Sequence, residues 1–276
     1  MNFNLKKILT IVGLASTVAL VGCGEKAAST VENAVDNNKI TVGVIAGSEA
    51  QVAEIAAKIA KEKYNLDVKL VIFSDYITPN AALDEGAVDV NAFQHKPYLD
   101  QQVADRGYKF AVAGNTLVYP IAGYSSKIKS LDELKEGDQI AVPSDPTNLG
   151  RALILLEKQG LLTLKENVGL QATVLDIVSS DKNLKIIELE AAQLPRSLDD
   201  VSLAIINTTY ASSINLSPEK DGLFVENKES PYVNLIVARE DNVQSENVQN
   251  FVKSYQTEEV YQAALNIFKG GAVKGW

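Results

Sequence analysis

The sequence predicts an α/β protein of two lobes joined by two crossing strands, with a ligand cleft between the lobes. Three observations carry this expectation. Residues Lys39 to Phe73 run as a β-rich stretch, a helical stretch and a second β-rich stretch, the spacing of a parallel β-α-β unit. Ala141 to Leu156 repeats the theme: Ala141-Val142 stops at Pro143 and a polar turn, after which Leu149, Ala152, Leu153 and Leu156 recur at helical intervals. Two further apolar runs, Lys109 to Ala122 and Tyr232 to Ala238, are placed so that the chain can leave the first lobe and return to it. Lobe 1 is expected to comprise residues 39–117 and 237–276, and lobe 2 residues 118–236 with the crossings near Val118–Ile121 and Val233–Ile236.

At the start of the chain, Lys6 and Lys7 precede an uncharged apolar run, Ile8 to Val21, that stops at Gly22-Cys23. This is the pattern of a secretory signal, and it is short for a membrane span. Cys23 is the only cysteine, so no disulfide can form within the chain, and a lone cysteine in an exported protein fits an anchor. The run ending at Cys23 resembles the lipobox of bacterial lipoproteins, which implies a signal peptide over residues 1–22, lipidation of Cys23 and a tether over 23–38. Loss of Lys6 and Lys7 with the signal takes the formal net charge from −9 to −11. An acidic chain without a block of Lys and Arg is not expected to partner nucleic acid.

In the first lobe, Val52, Ile55, Ala56, Ile59 and Ala60 mark a helix between strands Lys39–Ile45 and Val68–Phe73. Tyr76 then lies just beyond a strand's carboxyl end, where open α/β sheets bind ligands. Pro79–Glu85 reads as a short helix stopped by Gly86, and Ala87–Ala92 as a strand. Phe93, His95 and Tyr98 follow in a loop opening a helix; they form either an aromatic wall for an apolar ligand or ordinary core with a satisfied histidine. In the second lobe, Ser130 to Glu133 has capping-box spacing for a short helix. Asp145 is placed to cap the helix that Pro146 begins. Asn148 and Arg151 share its first turn, and two readings fit them: a corner that takes a carboxylate in a two-pronged contact, or a cap and a surface ion pair. Strands are expected at Thr173–Val178, Leu184–Leu189 and Val201–Ile206, the last running into Asn207, and two helices between Val243 and Phe268 close the chain.

The usual catalytic sets are missing. One histidine and one cysteine cannot build a His/Cys metal cluster, and the chain has no Gly-x-Ser-x-Gly elbow, phosphate loop or Gly-x-Gly-x-x-Gly fingerprint. Neither enzymatic activity nor a cofactor nor a metal is expected.

Six blocks taken in order are similar to those of the substrate-binding lipoproteins of bacterial methionine ABC importers, the MetQ/NlpA type: FSDYITPNAAL (73–83), NAFQHKPYLDQQ (91–102), PSDPTNLGRAL (143–153), INTTYA (206–211), SPYVNLIVARED (230–241) and GGAVKGW (270–276). Val90 stands where that family usually has Ala, and Ser144 where Asn is common. The resemblance implies a type II periplasmic-binding-protein fold that closes on free methionine, L-methionine first, and delivers it to a membrane permease driven by an ATPase; D-methionine, a derivative or dipeptide, or another apolar amino acid is the alternative cargo. It places the protein on the cell membrane, lipid-anchored through Cys23 and facing away from the cytoplasm. It also implies that Arg151 and Asn148 hold the ligand carboxylate, that Asn207 and Asn234 complete the polar contacts, and that Tyr76, Phe93, His95 and Tyr98 line the side-chain pocket. No acidic residue is obvious as the ammonium's partner.

Overall fold

The computed structural model describes residues 38–227 and 229–276. The expected signal peptide, Cys23 and nearly all of the tether lie outside these residues.

β1 (Lys39–Ile45), α1 (Ser48–Tyr64) and β2 (Asp67–Phe73) form a parallel unit in register from Lys39 opposite Asp67 to Ile45 opposite Phe73. Gly47, at φ 89°, makes the tight entry into α1, a backbone region that glycine reaches without strain. Val52, Ala53, Ala56, Ile59 and Ala60 then bury one face of the helix against the sheet. α2 (Thr78–Asp84), β3 (Val90–His95) and α3 (Lys96–Arg106) follow. The strand expected at Ala87–Ala92 lies three residues later, because the N–H groups of Ala87 and Val88 bond back to the carbonyl of Ala82 and close the end of α2. Phe93, Gln94 and His95 are thus strand residues rather than loop.

β4 (Phe110–Val118) and β5 (Ala122–Tyr124) are separated by the first crossing, residues 119–121. The capping-box segment makes a single 3-10 turn, Leu131–Glu133, before β6 (Gln139–Pro143), α4 (Pro146–Lys158) and β7 (Leu162–Leu164). Of the strand expected at Thr173–Val178, Val174–Asp176 is instead a 3-10 turn. The Asp176 carboxylate accepts from Thr173 N–H at 3.0 Å and from Thr173 Oγ1 at 2.8 Å, which curls the chain, and only Ile177–Ser180 extends as β8. Then come β9 (Lys185–Leu189), α5 (Leu194–Ser197), β10 (Leu203–Ile206), α6 (Thr208–Ser213), α7 (Pro218–Asp221) and β11 (Phe224–Val225). β12 (Val233–Arg239), α8 (Glu246–Tyr255), α9 (Glu258–Ile267) and β13 (Val273–Lys274) complete the chain.

The strands form a six-stranded sheet in the order β13-β4-β12-β3-β1-β2, a five-stranded sheet β11-β5-β10-β6-β9 and a β7-β8 pair. The second crossing differs from the expectation. Val233–Ile236 belongs to the larger sheet, pairing with β4 and β3, so the chain crosses between the end of β11 at Val225 and the start of β12 at Val233. Each sheet has its own apolar core: Val42, Val44, Phe251 and Phe268 in one, Ile140, Val142, Leu153, Leu156 and Ile205 in the other. A third buried cluster joins the two, with Ile45, Phe93 and Tyr98 from the first and Ala141, Ile206 and Tyr210 from the second.

Candidate ligand-binding site

All eight expected ligand residues line one cavity, together with Gln94, Tyr119, Thr208 and Thr209. Topology brings them there. Tyr76 follows β2, His95 ends β3, Tyr98 lies in the first turn of α3, Asn148 and Arg151 lie in α4 after β6, and Asn207 follows β10. These are carboxyl ends of strands in parallel pairs, and Asn234 joins them because β12 runs antiparallel and sets it opposite His95.

On the smaller-sheet side the first turn of α4 is crowded. The Asp145 carboxylate accepts from Asn148 N–H at 3.0 Å, and both of its oxygens accept from Asn148 Nδ2 at 3.0 Å. Burial pushes the Asp145 carboxyl upward, partly offset by these bonds. The helix end is therefore already occupied by a side-chain carboxyl of its own. Gly150 lets this turn seat closely, since a Cβ there would lie 2.2 Å from the carbonyl oxygen of Leu170.

Arg151 differs from expectation in what its fork grips. Nε donates to Glu226 Oε1 at 2.9 Å and Nη2 to Glu226 Oε2 at 2.5 Å, while Nη2 also donates to the Tyr119 carbonyl at 3.0 Å. The two-pronged partner is an internal acid, and the pair is desolvated, with side chains 3% and 10% exposed. The Tyr232 ring covers the guanidinium, 4.2 Å from centroid to Cζ. Nη1 is left without a hydrogen bond among the described residues. Tyr119 sits on the first crossing and Glu226 and Tyr232 on the second, so this arginine is fastened to both connections between the sheets.

His95 joins the two sides. Its Nδ1 accepts from Tyr98 N–H at 3.1 Å and caps α3, which assigns the ring proton to Nε2, 3.2 Å from Asn148 Oδ1. Burial, reinforced by the nearby Arg151 charge, holds the imidazole down to about 3, so it is neutral at ordinary pH. Asn148 Oδ1 also accepts from Asn207 Nδ2 at 2.9 Å. With its donor engaged there, the Asn207 Oδ1 is buried and has no partner among the described residues, an orphan acceptor at the cavity wall. Asn234 Nδ2 donates to the Phe93 carbonyl at 2.9 Å.

The larger-sheet side supplies rings. Phe93 and Tyr98 meet edge to face at 6.0 Å, and Tyr76 lies 5.9 Å from Phe93, held where the Tyr98 hydroxyl donates to its carbonyl at 2.6 Å. Behind them Gln94 is locked by a buried amide network, Nε2 donating to Asn80 Oδ1 at 2.7 Å and to Asn91 Oδ1 at 3.0 Å. From the first turn of α1, Glu49 reaches the other side: Thr209 Oγ1 donates to its Oε1 at 2.5 Å. Burial pushes the Glu49 carboxyl up to about 8, and Oε2 has no partner among the described residues.

Reading the sequence alone missed Gln94, Tyr119, Thr208 and Thr209 in the lining and Glu226 and Tyr232 behind Arg151. Gln94, Thr208, Thr209 and Tyr232 lie inside the six blocks and could have been taken from them. Glu226 sits in an ordinary polar stretch, Glu226 to Ser230, and gave no signal. No group of three or more potential metal ligands occurs among the described residues.

Two sheets with a ring-and-amide cavity between them define a two-lobed solute-binding protein of the type II periplasmic kind. The chain belongs to the NlpA lipoprotein family, whose model matches residues 40–276. A Vibrio cholerae protein named as a probable D-methionine-binding lipoprotein MetQ is 71% identical over 276 residues, covering 100% of both chains. The crystal structure of a methionine-binding protein, MetQ, superposes with a TM-score of 0.87 at 68% identity, covering 87% of this chain and 99% of that one. A nutrient-binding protein from Burkholderia cenocepacia, solved bound to methionine, gives a TM-score of 0.84 at 50% identity, over 86% of this chain and 100% of its own.

Proposed function

We propose that the chain is the substrate-binding component of an ABC importer, a binding protein rather than an enzyme, which captures free methionine between its lobes and delivers it to a permease and its ATPase. One observation carries the reading: Asn207 Oδ1, without a partner among the described residues, and the Arg151 guanidinium, with Nη1 unused, border the same cavity as the rings of Tyr76, Phe93, His95 and Tyr98. A zwitterionic amino acid with a soft apolar side chain matches that arrangement. Its carboxylate meets Arg151 with Asn148 beside it, its ammonium meets the oxygens of Asn207 and Asn234, and its thioether lies against Tyr76, Phe93, His95 and Tyr98. Lobe 1 is residues 39–118 with 233–276, following the membership of β4 and β12 in the larger sheet, lobe 2 the intervening part, and ligand held by both favours the closed arrangement. Cys23, outside the described residues, anchors the mature chain to the membrane on its extracytoplasmic side; Cys23→Ser should release it to the soluble fraction.

Native mass spectrometry of protein purified without added ligand, followed by displacement with L- and D-methionine, tests the cargo. A retained mass equal to methionine, displaced by one enantiomer at lower concentration, is the expected result. The names of the relatives favour D-methionine as the second reading. Displacement by leucine as readily as by either methionine would overturn both.

A further inference from the structure

The contact that fastens α1 to α6 is made by a carboxyl with no counter-charge. We infer that Glu49 is a positioning residue that couples ligand capture to a proton: the lobes close with its carboxyl protonated and held by Thr209, so binding takes a proton from the medium and weakens as pH rises. The inference rests on the reading that the two lobes close on the ligand.

The surroundings of Glu49 make the case. It lies in the first turn of α1, in the larger-sheet lobe, and Thr209 lies in the first turn of α6, in the other. Glu49 is buried; Thr209 Oγ1 donates to its Oε1, and its Oε2 has no partner among the described residues. Among those residues no Lys, Arg or His pairs with the carboxyl and no backbone N–H donates to it, although it stands at a helix start. The ionisable groups that face it are hydroxyls: Tyr76 after β2, Tyr119 on the first crossing, Tyr210 on α6 and Tyr255 on α8. Burial pushes all four upward, so they stay neutral. An ionised carboxylate there would be a buried charge held by one hydroxyl, and the closed form avoids it by keeping the proton, in line with a carboxyl pushed up to about 8. When the lobes part, Thr209 and Tyr210 leave with theirs, water reaches the carboxyl, and it returns toward its ordinary 4.5. Tyr76 and Thr209 line the ligand cavity and Glu49 does not, so it acts on the ligand through them. The cavity's own groups are separable from it. His95, held down to about 3, acts only below pH 6.5, and Arg151 is fastened to Glu226. Asp145, whose carboxyl burial also raises, is bonded to Asn148 and keeps its place in a variant at Glu49.

Calorimetric titration of L-methionine into ligand-free protein tests this across the window from pH 6.5 to 8, where His95 no longer contributes. Wild type should bind about tenfold more weakly at the upper end than at the lower. Near neutral pH it should take up more than about half a proton per ligand, read from the difference in heat between phosphate and Tris buffers. Glu49→Gln keeps the shape and the bond from Thr209 but cannot ionise. Its Kd should stay within about threefold across the window, and its proton uptake should fall by at least about half a proton. If Glu49 served only to hold the fold, Glu49→Gln would weaken binding by a common factor at both ends and keep the wild-type slope; that outcome overturns the inference. If the variant does not fold, wild type still decides, since equal dissociation constants at both ends with uptake below about 0.2 proton overturn it too. No detectable L-methionine binding by wild type at either pH would instead overturn the methionine reading.

Discussion

The two walls of the cavity are built differently. The larger-sheet wall presents Tyr76, Phe93, His95 and Tyr98, four rings set by packing, with Gln94 and Asn234 as its amides. The smaller-sheet wall presents Asn148, Arg151, Asn207, Thr208 and Thr209, five polar side chains set by hydrogen bonds. On the proposed reading the side chain is met by one wall and the carboxylate by the other, while the ammonium is shared between Asn207 and Asn234, so binding energy would be collected in full only when both lobes are engaged. The difference also separates failure modes: damage to the ring wall should reach the fold, whereas damage to the polar wall should reach affinity.

The largest effect is expected at Phe93, which is 4% exposed and belongs to the buried cluster joining the lobes. Phe93→Ala should lower unfolding free energy by about 3 kcal/mol, read from chemical denaturation without ligand. A variant as stable as wild type would show that the ring wall is not structural.

A smaller effect concerns Glu49, which bridges the walls through Thr209 and lies among Tyr76, Tyr119, Tyr210 and Tyr255. Its folded value, about 8, lies above its ordinary 4.5, so the folded chain keeps a proton that the unfolded chain loses. The cost of burying it is absent below pH 4.5 and grows as pH rises from 4.5 to 8. His95 has the opposite sign, with stability lost as pH falls from 6.5 toward about 3. Between pH 6.5 and 8 only the Glu49 slope of these two remains, worth roughly 2 kcal/mol. Glu49→Gln should flatten the denaturation midpoint across that window. An unchanged slope would mean that Glu49 is not the group titrating.

On the polar wall, Asn207→Ala should weaken L-methionine by about 1–2 kcal/mol, roughly five- to thirtyfold in Kd. A Kd equal to wild type would remove the orphan acceptor from the ammonium site. As a benchmark outside both walls, Lys58→Ala breaks an exposed ion pair to Glu62, 3.9 Å long with both side chains at least 60% exposed. It should change stability by less than about 0.5 kcal/mol and binding not at all.

The fold was legible where periodicity and strand-end position agree. β1-α1-β2 and β6-α4 are local patterns of apolar spacing and turn chemistry, and the eight residues singled out by their place after a strand or by their motif block all lie in one cavity lining. What escaped detection depends on distant contacts. The end of α2 took Ala87 and Val88 from β3 through two backbone bonds, and Asp176 bent a stretch that reads as strand. The second crossing moved because Val233–Ile236 is as apolar as a buried strand must be, and only pairing with β3 and β4 reveals which sheet claims it. Glu226 was invisible for the same reason: its partner is 75 residues away.

The central claim is that Arg151 receives a ligand carboxylate while Glu226 and the Tyr119 carbonyl hold the rest of its guanidinium. Titration of L-methionine into wild type, Arg151→Ala and Arg151→Lys, each with unchanged circular dichroism, tests it directly. Arg151→Ala should cost about 2–5 kcal/mol, roughly 30- to several-thousand-fold in Kd. Arg151→Lys should recover little of this, since one ammonium cannot keep the fork on Glu226 and also reach the ligand. Equal dissociation constants across the three proteins would contradict the account.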